Sequence, residues 1–239
     1  MKSLGKSMLR MLNHFVSTFV LALALLLLAP SPSNAQQLQK GVSVQLAETS
    51  NAMPMPDADT DPWIVSVTST GELYFGIHPV TVERLVEDMK TRPRNREQRL
   101  YIKADERTAY SNVKKVLDAG RQVSFEVAAL LTAQPEYAAP GAILPPKGLE
   151  VMVGASKARP DAPLVQLRKS TRPLPEVKIG QQSVRWSEVQ STLIQLLQIQ
   201  KEKTVQLQAS GQLPFRDVVR VIDICRAAGG KVVLAASEL

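Results

Sequence analysis

Few side chains in this sequence can carry covalent chemistry. There are two histidines, His14 and His78, and one cysteine, Cys225. A single cysteine excludes an intrachain disulfide. No serine or cysteine nucleophile stands with a base, and no paired carboxylates, Gly-rich phosphate loop or metal-ligand cluster occur at workable spacing. The sequence therefore predicts no enzyme activity, no cofactor and no metal. What remains is recognition. Arg92, Arg94, Arg96 and Arg99 crowd one connection. They read either as a solvated loop or as a contact for an anionic partner, attracted at long range and screened by salt. Asp105 ends a strand just before a helix, where unpaired N–H groups favour a carboxylate; the other reading is a partner contact. Tyr110 and Phe215 read as core or edge packing, with Tyr110 kept beside Asp105 and the four arginines as a partner-binding candidate. His78 reads as a solvated turn residue. Cys225 reads as a small buried hydrophobe, with an intermolecular disulfide as the alternative.

The residues that position these side chains begin after an export signal. Lys2, Lys6 and Arg10 form a basic flank, Phe15 to Ala29 is apolar, and Ser33-Asn34-Ala35 is a small-x-small cleavage pattern. Residues 1–35 are either a signal peptide cut near Ala35 or an inner-membrane anchor through residues 11–29, since a span needs about 20 residues. Both readings place the remainder outside the cytoplasm. Removing three basic groups lowers the formal charge of +7 in 239 residues to +4. That charge does not suggest nucleic acid, and 44% hydrophobic with 21% charged residues is ordinary globular composition.

The exported part reads as two copies of one unit. Lys40-Gly41-Val42-Ser43-Val44 matches Lys147-Gly148-Leu149-Glu150-Val151. Gly76-Ile77-His78-Pro79-Val80 matches Gly180-Gln181-Gln182-Ser183-Val184. Ala104-Asp105 with Tyr110, Val113, Val116, Leu117 and Asp118 matches Ala209-Ser210 with Phe215, Val218, Val221, Ile222 and Asp223. Between the copies, 135–146 holds four prolines and reads as a stiff linker. Copy one, 40–134, has a short first segment (Val42–Leu46). Strands are predicted at Trp63–Val67, Glu72–Phe75, Leu100–Ala104 and Val127–Thr132. Val82, Leu85, Val86 and Met89 share one helix face, with Thr81 as its cap. Thr108 is the predicted cap of a second helix. Copy two, 147–239, has strands at Leu164–Arg168, Val177–Ile179, Val205–Ala209 and Val232–Ala236, and helices from Trp186 to Gln200 and Pro214 to Ala228. Pro214 suits a first helical position and Gly229-Gly230 a stop. The expected fold class is α+β: two tandem β-β-α-β-α-β units, each with two helices on one face of a small mixed sheet.

The pattern resembles the periplasmic domain of the ExbD/TolR family of biopolymer transport proteins. The resemblance rests on Lys40 to Leu46, Ile64-Val65-Ser66-Val67 with Gly71-Glu72-Leu73-Tyr74, and Pro79-Val80-Thr81 with Leu85. Tyr101-Ile102-Lys103-Ala104-Asp105 with Tyr110, Val113, Val116, Leu117 and Asp118 completes it. It covers 40–134 closely and 147–239 more loosely, where Ser210 and Phe215 replace the Asp and Tyr. It implies a non-enzymatic envelope protein of a TonB/Tol-type energy-transducing system, with ExbB/TolQ-like, ExbD/TolR-like or TonB/TolA-like partners. The TolR side of the family implies peptidoglycan as an alternative partner, and small domains with exposed sheet edges suggest a homo-dimer. Family members carry a membrane aspartate held essential for proton use, and an ionisable group there is costly and functional. Here Phe15 to Ala29 holds no Asp or Glu; the first acidic residue is Glu48. The resemblance therefore implies the domains without the proton-coupling group. A tandem pair can also form within one chain the dimer that single domains form between chains.

Overall fold

The computed structural model describes residues 42–55, 63–91, 99–133, 146–153 and 161–235. The expected export segment, Arg92, Arg94, Arg96 and residues 135–145 of the linker lie outside them. The described residues 42–235 belong to one compact unit. Its architecture is α+β, a mixed sheet of twelve strands with four α-helices.

The first half contains β1 (Met53–Pro54), β2 (Trp63–Val67), β3 (Leu73–Phe75), β4 (His78–Val80), α1 (Val82–Thr91), β5 (Leu100–Ala104), α2 (Tyr110–Gln122) and β6 (Val127–Thr132). The second contains β7 (Lys147–Met152), β8 (Leu164–Arg168), β9 (Glu176–Ile179), β10 (Gln182–Val184), α3 (Val189–Gln198), β11 (Thr204–Ala209), α4 (Phe215–Ala227) and β12 (Lys231–Leu234). A 3-10 turn, Trp186–Glu188, leads into α3. Period-two alternation puts β2, β3, β5, β6, β8, β9, β11 and β12 where the sequence predicts strands. The order from β2 to β6 recurs from β8 to β12.

Four strands exceed the sequence expectation: β1, β7, β4 and β10. His78 reads as a solvated turn residue and 182–184 as no strand, yet β4 and β10 pair with β3 and β9 as tight hairpins. Gly76 (φ +63°) and Gly180 (φ +61°) open these two-residue connections. Only glycine enters that conformation without cost, and it matches strand twist. His78 thus lies on β4, where it is exposed.

The strand order is β10-β9-β8-β11-β12-β7-β6-β5-β2-β3-β4, with β1 also on β7. The expectation of a small sheet in each unit therefore gives way to one shared sheet. The junction is β6 with β7, antiparallel over six residue pairs from Val127↔Met152 to Thr132↔Lys147. Register keeps one apolar row across it: Phe75, Val65, Ile102, Leu130 and Leu149 are cross-strand neighbours. So are Leu100, Ala128, Val151, Val232 and Val205. These residues and the apolar faces of all four helices form one buried cluster. Each fully buried Leu or Val contributes about 1.5–3 kcal/mol relative to exposure.

Helix starts follow the sequence in one case and depart from it in two. Thr81 Oγ1 accepts from Arg84 N at 3.2 Å, as the capping pattern predicts. Thr108 does not cap α2. The residue before that helix is Ala109, and no side chain caps it. Pro214 precedes α4 instead of opening it, at φ −56° and ψ 139°. The cause is an exchange between the two loops. Tyr110 N donates to Leu213 O and Phe215 N to Thr108 O, both at 2.8 Å; Ser111 N donates to Gly211 O and Arg216 N to Glu106 O, both at 2.9 Å. Each half thereby satisfies the first free N–H groups of the other's helix. An offset of 105 residues converts the bonds from α2 into those from α4, so the pairing has pseudo-twofold symmetry about Ala109 and Pro214.

Gly148 reports on the tightness of the β6–β7 junction. A Cβ there would lie 2.8 Å from Leu130 O and 3.3 Å from Met55 Sδ. Main chain in the middle of a sheet cannot yield, so Gly148→Val should lose about 1–3 kcal/mol, the usual cost of overpacking. Chemical denaturation followed by circular dichroism measures it. An unchanged midpoint would mean that the junction has room to spare.

Candidate partner-binding site

The sequence candidates separate once they are placed. Arg99, just ahead of β5, reaches across to Glu150 on β7 (Nε–Oε1 2.5 Å), so it ties the two halves together. Asp105 is 2% exposed. Its carboxylate accepts from Gln45 N (3.0 Å), Arg107 N (3.0 Å), Arg107 Nε (2.8 Å) and Arg107 Nη2 (2.8 Å). The donors are a loop, an incoming segment and a guanidinium, not the free N–H groups of α2. Tyr110 is buried against the core at the start of α2, and Phe215 takes the matching place in α4. Asp105 and Tyr110 therefore serve the fold here. Cys225 is fully buried on α4.

Two further links bind the halves. Arg121, on α2, donates to Val153 O (2.6 Å) and Leu234 O (2.9 Å) in the second half and pairs with Asp118. Residues 42–55 run over both halves. Gln45 N is held by Asp105, whereas Ser50 N and Asn51 N donate to the Asp223 carboxylate at 3.1 and 2.9 Å.

The sheet is open at both ends. β4 and β10 are its outermost strands. Beside β10 opens a cleft of about 800 Å³ between residues 170–177 and 183–186. Among the described residues no cluster of His, Cys, Asp and Glu can hold a metal. No helix among them is long and apolar enough to cross a membrane.

The family model described as "Biopolymer transport protein ExbD/TolR" matches residues 15–135 and again residues 142–239. The chain belongs to the ExbD/TolR family. No curated protein and no solved structure matches it. Proteins of this family are not enzymes. Sequence reasoning missed β10 and its cleft. The one signal available was the pair Gly180 and Trp186, a turn glycine followed by a large aromatic.

The Asp105 cluster makes a pH prediction for this ExbD/TolR chain. Chiefly the Arg107 guanidinium, helped by backbone donors and opposed by burial, holds the carboxyl well below the usual carboxylate range. A depressed folded value stabilises above the unfolded value of about 3.9 and is lost as pH falls through and below it. Asp105→Asn should therefore cost about 1–3 kcal/mol at pH 7. The deficit should shrink in denaturation curves below about pH 3.9, where the unfolded chain's carboxyl takes up a proton while the folded one stays ionised. A deficit independent of pH would assign the effect to shape alone.

Cys225 gives a second test. Burial pushes its thiol up to about 12. The thiolate is the reactive form, so an aromatic disulfide reagent should leave Cys225 unmodified in native protein and titrate one thiol in denaturant. Rapid native reaction, or a dimer on a non-reducing gel that reductant removes, would restore the intermolecular disulfide.

Proposed function

We propose that this protein is a tandem ExbD/TolR-type module that works outside the cytoplasm, in or beside a TonB/Tol-type energy-transducing system, by binding its protein components. The family match over both halves carries the reading. The reciprocal capping of α2 and α4 supports reading the halves as two domains fused into an internal pair. The match begins at residue 15, inside the apolar run, which favours residues 11–29 as a retained anchor over a discarded signal peptide. With no Asp or Glu from Phe15 to Ala29, the anchor tethers the domains and leaves proton coupling to other subunits. The partners are ExbB/TolQ-like, ExbD/TolR-like or TonB/TolA-like proteins.

Affinity capture of the tagged full chain from cross-linked cell envelopes tests this. An ExbB/TolQ-like or TonB/TolA-like protein should be recovered; its absence, with peptidoglycan recovered instead, would overturn the reading in favour of a wall-binding module. N-terminal sequencing of the envelope-located protein checks the anchor. A start at Gln36 would remove it.

A further inference from the structure

The two hairpins at the ends of the sheet differ in one position that decides whether a strand can be added. In a hairpin closed by a two-residue turn, the pair next to the turn is hydrogen-bonded, and the following residue turns its N–H and C=O outward. In β4 that residue is Pro79, opposite Tyr74. Proline has no N–H, so this edge is blunted. In β10 the same place is taken by Ser183, opposite Lys178. Its N–H and C=O face the open side of the sheet.

The surroundings of the two edges differ in the same sense. In the first half the connection 68–72 closes on itself: Thr68 N donates to Glu72 O and Gly71 N to Thr68 O, both at 3.0 Å. In the second half the connection 169–175 is longer, and its residues 170–175 line the cleft. Its Pro175 O accepts from Trp186 Nε1 at 2.8 Å, which fixes the indole as one wall of the cleft. Arg220 lies over the ring, 5.6 Å from its centroid. Leu174, 40% exposed, supplies apolar surface opposite. Arg172 and Arg185 are the cations of the lining and Glu176 its carboxylate; Arg185 also pairs with Glu188 at 2.7 Å, an exposed pair that an incoming carboxylate can replace. The Glu176 carboxylate is met by Ser183 Oγ at 2.8 Å and Lys178 Nζ at 3.8 Å. Arg168 and Lys169 extend the basic surface along the chain and are exposed.

We propose that β10 and the adjoining cleft are a docking site for an extended acidic peptide segment, which adds to the sheet at Ser183, sets carboxylates against Arg172 and Arg185 and lays an apolar side chain between Leu174 and Trp186. Main-chain bonding supplies affinity and the cleft supplies selection. The site exists only in the second half, since the first has Pro79 at the edge and Val82 where Trp186 stands. It rests on the reading of this protein as a partner-binding module and names which face binds.

The test titrates the purified full chain with a capped hexapeptide of alternating valine and glutamate, and with its valine–lysine counterpart. Tryptophan fluorescence is the readout, since Trp63 is buried and Trp186 lines the cleft. The acidic peptide should bind saturably and the basic one at least about tenfold more weakly, a difference of about 1.4 kcal/mol. The double variant Arg172→Glu/Arg185→Glu, at two exposed positions, should invert that preference. Ser183→Pro should abolish binding with an unchanged circular dichroism spectrum. Equal affinity for both peptides, no saturable binding, or wild-type binding by both variants would overturn the proposal. If envelope partners are still captured by the full chain while the peptide fails, the docking site falls and the wider function stands. If the peptide binds and no partner is captured, the site stands without that function.

Discussion

The rest of the structure depends on how α2 and α4 begin. A helix starts with N–H groups that have no partner inside it, and each must be satisfied by a cap, by water or by another segment. Neither helix carries a side-chain cap. Each takes two carbonyls from the loop before the other helix. That exchange requires the two loops to run antiparallel past Ala109 and Pro214, which form an isolated bridge. It brings the two helix N-termini together on one face of the sheet. With the helices placed so, β6 and β7 come into hydrogen-bonding distance, and twelve strands share one sheet. An isolated half would leave the starts of its long helix to water.

The pseudo-symmetry stops at the seam, for a steric reason. A sheet has one place between β6 and β12, and β7 occupies it. The matching segment of the first half, Val42–Leu46, is excluded from that place. The chain after it meets β6 only at its end, where Ala133 N donates to Ala47 O and Thr49 N to Ala133 O, and continues across the molecule to pair as β1 with β7. Its exposed N–H groups are met by carboxylates instead, Asp105 in one half and Asp223 in the other. Asp118 and Asp223 occupy matching helix positions, yet Asp118 pairs with Lys114 and Arg121 while Asp223 holds Ser50 and Asn51. One place in the sheet thus decides the different use of two related aspartates.

Local physics made much of this readable in the sequence. Val82, Leu85, Val86 and Met89 specify a helix face by spacing, and Trp63–Val67 specifies a strand by alternation. Both describe interactions within a few residues. Thr108 and Pro214 misled because their roles are set by a loop about a hundred residues away. Asp105 lies between β5 and α2, but its donors are Arg107 and Gln45 and not the helix N–H groups that a local reading indicates. β4 and β10 are three residues long and carry His-Pro and Gln-Ser, with no alternation to read; their glycine turns and a neighbouring strand create them. The charged candidates are visible as charges; of the loop's four arginines only Arg99 lies among the described residues, and it pairs with Glu150.

The two ends of the sheet are built from the same order of strands and diverge at their edges. A sheet edge invites pairing with other chains, and a protein ordinarily blunts it. Pro79 does so at β4. At β10 the exposed bonding groups remain, but the strand is only three residues long and Arg185 follows it directly. Such an edge is too short and too charged to template long aggregates. It is long enough to register a peptide whose side chains also satisfy the cleft. The fold needs β10 only for its contact with β9 and for Val184 against the core. Its outer side is therefore free to be shaped by recognition, while the equivalent side of the first half stays closed.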